Sequence, residues 1–297
     1  MDLGFNPFLA FGWCLFAGFI MSMGVGGGGI LAGIGHISVL GIADANMIKV
    51  VNQLLEFVSR IVTVPMYHRQ KRMVWSLAVA YGIGAPVGAA AGSWLSKTYL
   101  SDLSAYRQVF GLLVALVAAR VLYEGWKGAA AGTAMSKAKA VSDRVQQALR
   151  TAGATVPGAR ATSIALTRVK VTFAGEEFTF NPLTAAAGGF GIGLISAALG
   201  VAGGFLVTPF MASVLLFPMY LVVGTSLVAL VVPLAISVIT YLLLQVNVNW
   251  WLVAVEAPAI MLGSMLGPRL NRHMNEKALK TFVAIVLLSI GVYYLAF

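Results

Sequence analysis

The chain of 297 residues contains one cysteine, Cys14, so it can form no disulfide within itself and no cysteine metal cluster. Histidine is almost as scarce. His36, His68 and His273 lie far apart and show no metal-ligand spacing. No nucleophile–base set is legible either, so the sequence reads as neither an enzyme nor a metal or cofactor protein. Charge is the third shortage. Asp, Glu, Lys and Arg make up 10% of the residues, against about 25% in ordinary soluble domains. A water-soluble globule of this composition lacks the polar surface to stay dissolved. With 59% hydrophobic residues and a mean hydropathy of +0.89, the chain reads as an all-α polytopic membrane protein. The formal net charge of +10 does not point to nucleic acid, because the basic residues cluster in short loops between apolar runs. That is the footprint of orientation in a bilayer. The N-terminal stretch from Met1 to Pro7 lacks the basic region of a cleaved signal peptide.

Six apolar runs reach the length of about 20 residues that a spanning helix needs. They are Met47–Tyr67, Trp75–Lys97, Leu103–Gly125, Tyr220–Gln245, Trp250–Leu270 and Ala278–Phe297. Two further apolar regions, Phe8–Leu40 and Leu183–Leu216, are each broken near the middle by glycine, at Gly24–Gly29 and Gly200–Gly204. The resulting pieces of 13 to 17 residues are short for a full crossing. Between the apolar regions lies a long loop with eight Lys/Arg and three Asp/Glu. Within it, Met135–Arg150 has the spacing of an amphipathic helix and Ile164–Phe180 alternates like a β-hairpin around Ala174-Gly175-Glu176. The loop reads as a small solvated or surface-lying subdomain.

The two halves repeat. Phe5-Asn6-Pro7 recurs as Phe180-Asn181-Pro182, and Trp75, Gly88 and Gly92 recur as Trp250, Gly263 and Gly267, all 175 positions later. Gly24, Val25, Gly27 and Gly28 match Gly200, Val201, Gly203 and Gly204 at a spacing of 176. This predicts a first membrane repeat over residues 1–126, a cytoplasmic loop over 127–181 and a second membrane repeat over 182–297. Asn-Pro suits a helix start, with Asn capping and Pro preorganised in the first turn. If each broken region returns to the side it entered from, 15 Lys/Arg fall on one side and three on the other. The positive-inside rule then puts the basic side in the cytoplasm and both termini outside. Each repeat would hold one re-entrant hairpin and three crossings, and an odd number of crossings inverts the second repeat relative to the first.

Irregular backbone at membrane depth is tolerated only inside protein or beside water. Each glycine tip precedes a helix start, whose free N–H groups and positive dipole end favour an anion. Four consecutive glycines, Gly26–Gly29, exceed what a packing face requires, whereas Gly82, Gly84, Gly88 and Gly92 suit helix packing. The candidate donors to a small anion are therefore Gly27, Gly28, Gly29, Gly203 and Gly204. Polar residues in the runs add Asn52, Gln53, Thr225 and Ser226, with Arg60 as the compensating charge. Glu56 precedes Arg60 by one helical turn, a favourable ion-pair spacing. Glu56 and His36 are the candidates for proton coupling. Glu256 has no partner near it in sequence.

The pattern Gly-x-Gly-Gly-Gly-Gly29, the stretch Gly200-Val-Ala-Gly-Gly-Phe-Leu-Val-Thr-Pro209 and Gly224-Thr225-Ser226-Leu227 resemble the TauE/SafE family, also called the sulfite exporter or TSUP family. The resemblance covers nearly the whole chain outside the long loop. In the first half, Ala32-Gly33 and Val51-Asn52-Gln53 depart from the usual Val-Pro and Gly-Thr-Ser. The resemblance implies a bacterial inner-membrane carrier of small sulfur-containing anions such as sulfite or sulfoacetate-like organosulfonates. A thiosulfate-uptake branch that uses membrane cysteines is poorly matched by a chain with Cys14 alone. The expected partners are the anionic substrate and the bilayer. A homodimer is compatible with the sequence. An anion-selective channel and a non-transporting scaffold or accessory subunit stay open as alternatives.

Overall fold

The computed structural model describes residues 5–23, 27–126, 133–152, 157–201, 203–270, 285, 288 and 291–294. Gly24, Val25 and Gly26 of the first tip, and most of the sixth apolar run, lie outside the described residues. Chain order begins with α1 (Pro7–Ser22) and α2 (Gly28–Ile34), which continues as a π-helical turn over Gly35–Val39. Three long helices follow: α3 (Ala45–Arg69), α4 (Trp75–Tyr99) and α5 (Leu103–Trp126). The intervening loop region holds α6 (Thr133–Ala152) and strands β1 (Arg160–Ile164), β2 (Val169–Phe173) and β3 (Glu176–Phe180). The second half has α7 (Pro182–Ala198) and α8 (Gly204–Pro209), again running into a π-helical turn, Phe210–Val214. It continues with α9 (Met219–Ala229), α10 (Val231–Leu243) and α11 (Trp250–Leu270).

The paired Asn-Pro sequences start paired helices. Asn6 Oδ1 accepts from the amides of Phe8 at 3.0 Å and Leu9 at 3.3 Å, and Asn181 Oδ1 accepts from Leu183 at 2.9 Å. Each cap satisfies an amide that the helix cannot. The run Tyr220–Gln245 is not one continuous helix. It turns at Leu230, because Pro233 lacks an amide and its ring crowds the carbonyl four residues back. By length and composition, Met219–Leu243 and Trp250–Gly267 are the described stretches apolar enough to cross a membrane. Helices α3 and α4 equal a span in length at 25 residues each, but α3 buries Lys49, Glu56 and Arg60 and α4 is diluted by glycine and alanine. On α4, Trp75, Val79, Ile83, Val87 and Trp94 form an exposed apolar stripe at helical spacing, the surface expected to meet lipid.

The two halves interlock in the same way. Helix α1 lies along α11, and α7 lies along α4. A β-carbon added to Gly88 would sit 2.0 Å from the Phe190 carbonyl oxygen. One added to Gly263 would sit 2.1 Å from that of Leu15. Gly193 approaches Ala85 and Gly18 approaches Ile260 by the same exchange. All these partners are related by 175 positions. Gly84 and Gly92 also meet backbone of α7, whereas Gly82 faces open space. Three of the four glycines expected to pack helices therefore do so, and they do it backbone to backbone.

The intervening region holds a helix and a small sheet. The expected helix and hairpin are α6, β2 and β3, and β1 adds an antiparallel strand beside β2. Strand β2 alternates Val169, Val171 and Phe173 inward, and β3 does so with Phe178 and Phe180. That face is buried against the membrane part. Phe173 stacks on Tyr220 at 5.8 Å, Phe180 meets Phe217 edge-on at 5.7 Å, and Ser142 Oγ accepts from the Tyr220 amide. Helix α6 and strands β2 and β3 thus meet the chain around the start of α9. At the surface, Lys137 pairs with Glu176 at 2.9 Å and holds its carboxyl below the usual range through a hydrogen bond and its charge.

Candidate functional site between the two glycine tips

Each broken region turns where glycine permits it. In the second, Gly200 and Gly203 both take φ of +64°, the left-handed region that costs other residues roughly 1–2 kcal/mol. In the first, Gly27 is right-handed at φ −98°, so close approach and not handedness demands glycine beside it. A β-carbon on Gly28 would lie 2.4 Å from the Met21 amide nitrogen.

Side chains from the long helices tie the tips down. Asn52 Nδ2 donates to the carbonyls of both Gly29 and Gly200, bridging the first tip to the second. Gln53 Nε2 and Tyr241 Oη both donate to Ala197 O, at 3.1 and 3.0 Å. Ser96 and Tyr106 donate to Ala198 O and Leu199 O. Tyr67 Oη donates to Ser22 O at 2.8 Å, which mirrors Tyr241 and Ala197 across the repeat. Carbonyls orphaned at the ends of α1 and α7 thereby gain partners without water.

A small cavity opens between the tips. Its polar lining is Gly28, Gly29, Glu56, Arg60, Gly203, Gly204, Thr208 and Ser226, and Met21, Phe205, Leu227 and Leu230 supply the apolar wall. It offers about 20 Å³ to the centre of a water-sized molecule. That is enough for a water or so and too little for an organosulfonate. Arg60 is 4% exposed and Glu56 is 1% exposed. One guanidinium nitrogen, Nη2, donates to Glu56 Oε2 at 3.0 Å. Nε and Nη1 have no partner among the described residues. Leaving buried donors of a cation unpaired is costly. They are a standing demand for an acceptor.

The structure sorts the sequence candidates. Gly28, Gly29, Glu56, Arg60, Gly203, Gly204 and Ser226 line the cavity. Gly27 caps the start of α2, and Asn52 and Gln53 hold the tips, Asn52 with both amide hydrogens on backbone carbonyls and Gln53 with one. Thr225 accepts from the Val74 amide at 3.0 Å and donates to Leu221 O, fastening α9 to the start of α4. Ser226 also donates within its helix, to Val223 O at 2.9 Å. Thr208 was not singled out from sequence, although it follows Gly204 by one helical turn and so shares its face. His36 lies outside the cavity lining, and Nε2 pairs with Glu256 Oε2 at 3.0 Å. Cys14 joins that pair. The absence of ligand spacing in the sequence therefore does not carry over to space, because the fold brings these three together from both halves.

The family model described as sulfite exporter TauE/SafE matches residues 10–294. The chain is also similar to the probable membrane transporter protein YunE of Bacillus subtilis (strain 168), with 23% identity over 228 residues, covering 76% of this chain and 71% of that protein. No solved structure matches it. With a match running over nearly its whole length, the chain belongs to the sulfite exporter TauE/SafE family, a family of membrane transporters and not of enzymes.

Proposed function

We propose that this chain is a secondary transporter that exports a small sulfur-containing anion, such as sulfite or a sulfoacetate-like organosulfonate. It would work by alternating access at the cavity between the glycine tips. The observation that carries this reading is Arg60, which lines that cavity and whose buried Nε and Nη1 have no acceptor among the described residues. An oxyanion supplies several acceptor oxygens, and hydrogen bonds to a guanidinium are among the strong ones. The helix starts at Gly28 and Gly204 add amides and positive dipole ends. Thr208 and Ser226 add hydroxyls. Glu56, held by Arg60, would exchange a proton as the anion enters.

The recurrence of the interlocks at one spacing supports two inverted repeats. In that arrangement the tips enter from opposite faces, with the basic loops and residues 127–181 in the cytoplasm and both termini outside. The narrowness of the cavity supports a carrier in a closed state over an open anion pore. The test is counterflow in proteoliposomes. Internal sulfite should accelerate uptake of labelled external sulfite with saturation. Flux that rises linearly with concentration and ignores trans substrate would identify a pore. Purified protein that binds no anion in the panel of sulfite, sulfoacetate, taurine and acetate would leave a scaffold.

A further inference from the structure

A second cluster of ligating side chains stands apart from the anion cavity. Cys14 comes from the middle of α1, His36 from the π-helical turn after α2, and Glu256 from α11. Their ligand atoms all lie within 4.8 Å of one another. All three residues are at most 1% exposed. Beyond the His36–Glu256 contact, His36 Nδ1 and Glu256 Oε1 have no hydrogen-bond partner among the described residues. The hydrophobic cluster that contains Cys14 also contains Ala17, Ile37 and Ile260.

We propose that Cys14, His36 and Glu256 form a binding site for a borderline-soft transition-metal dication, with zinc as the type. Thiolate, imidazole and carboxylate are the side-chain ligands this ion takes, and a thiolate disfavours magnesium and calcium. Metal–ligand bonds of about 2.0–2.3 Å at tetrahedral angles place ligand atoms about 3.3–3.6 Å apart. That spacing falls within the compass of the cluster. Charge argues the same way. A dication held by one thiolate and one carboxylate is neutral, which is the form an apolar interior accepts at least cost.

The repeat shows that the architecture does not require these residues. At the spacing of 175, the positions matching Cys14, His36 and Glu256 are Gly189, Met211 and Tyr81. That set contains no thiolate, imidazole or carboxylate, yet α7 and α4 pack as α1 and α11 do. The polar trio is therefore an addition to one half. An ion there would join α1 and the turn after α2 to α11 and fasten the first hairpin in place. None of the three residues lines the anion cavity, so this site is independent of the substrate reading.

The test uses the full chain, purified in detergent, stripped with a chelator and loaded with Co²⁺. The expected result is one cobalt per chain with a thiolate-to-cobalt charge-transfer band in the near ultraviolet, displaced by Zn²⁺ and not by Mg²⁺. Cys14 is the sole cysteine, so such a band has one assignment. Cys14→Ser should abolish the band and weaken Zn²⁺ binding at least about 100-fold. Cys14→Ala, which keeps the small apolar character of the site, serves if the serine variant misfolds. Wild-type protein that stays monodisperse and takes up no cobalt overturns the proposal. So does a band that survives in either Cys14 variant.

Discussion

Removing the guanidinium of Arg60 separates a binding role from a structural one, provided it is done twice. Arg60→Gln alone takes away the guanidinium that pairs with the buried Glu56 carboxylate at 3.0 Å. Breaking a buried pair from one side costs about 3–5 kcal/mol, so this variant should lose much of its thermal stability whatever Arg60 does for substrate. The double variant Arg60→Gln/Glu56→Gln removes both charges and keeps two side chains that can bond to each other. Replacing a whole buried pair by neutral groups is often close to neutral for stability. The double variant should therefore melt within a few degrees of wild type. Anion affinity should not recover with it. A hydrogen bond to a charged group contributes about 1.5–3 kcal/mol, and losing it weakens binding about 10- to 150-fold. Sulfite titrations by calorimetry and melting curves in the same detergent read both quantities. A double variant that binds sulfite with wild-type affinity would refute the assignment of Arg60 to the substrate.

Three further substitutions probe the tips. Gly204→Ala meets nothing nearer than Leu230 Cδ1 at 3.9 Å, so it should fold. Its methyl group enters a cavity with about 20 Å³ to spare, and sulfite affinity by calorimetry should fall at least about tenfold. Gly28→Ala drives a β-carbon into the Met21 backbone, and overpacking of about 1–3 kcal/mol or more should appear as a lowered melting temperature even without substrate. Asn52→Ala strips a donor from the carbonyls of both Gly29 and Gly200, and the melting curve should show a loss of about 1–3 kcal/mol for each acceptor left dry.

Much of the architecture was readable because it repeats. The spacing of 175 that aligns Asn6 with Asn181 and Gly88 with Gly263 reappears as capped helix starts and matching backbone contacts. Alternation within Ile164–Phe180 marked the residues of β2 and β3 but not that Ile164 belongs to β1, and Pro233 was an available clue to the turn at Leu230. The site was only partly legible. Glycine marks both the place where a ligand approaches and the place where backbone does, and Gly28 serves the second purpose against Met21. Asn52, Gln53 and Thr225 are buried polar residues in apolar helices, which sequence alone cannot divide between substrate and backbone. The amides of Asn52 and Gln53 went to backbone because the broken helices leave carbonyls that must be satisfied inside the protein, and the Thr225 hydroxyl went to the Val74 amide and the Leu221 carbonyl. The contact of His36 with Glu256 joins residues 220 positions apart, beyond the reach of any local pattern.

The proposed resting place of the anion lies between Arg60 and the two glycine tips. Selenite is a heavier analogue of sulfite, and its selenium can be located by anomalous scattering in crystals of the loaded protein. One dominant peak is expected, with an oxyanion oxygen about 3 Å from Arg60 Nη1 or Nε and the amides after Gly27 and Gly203 facing it. A dominant peak elsewhere in the membrane part, with Arg60 still without an acceptor, would contradict it.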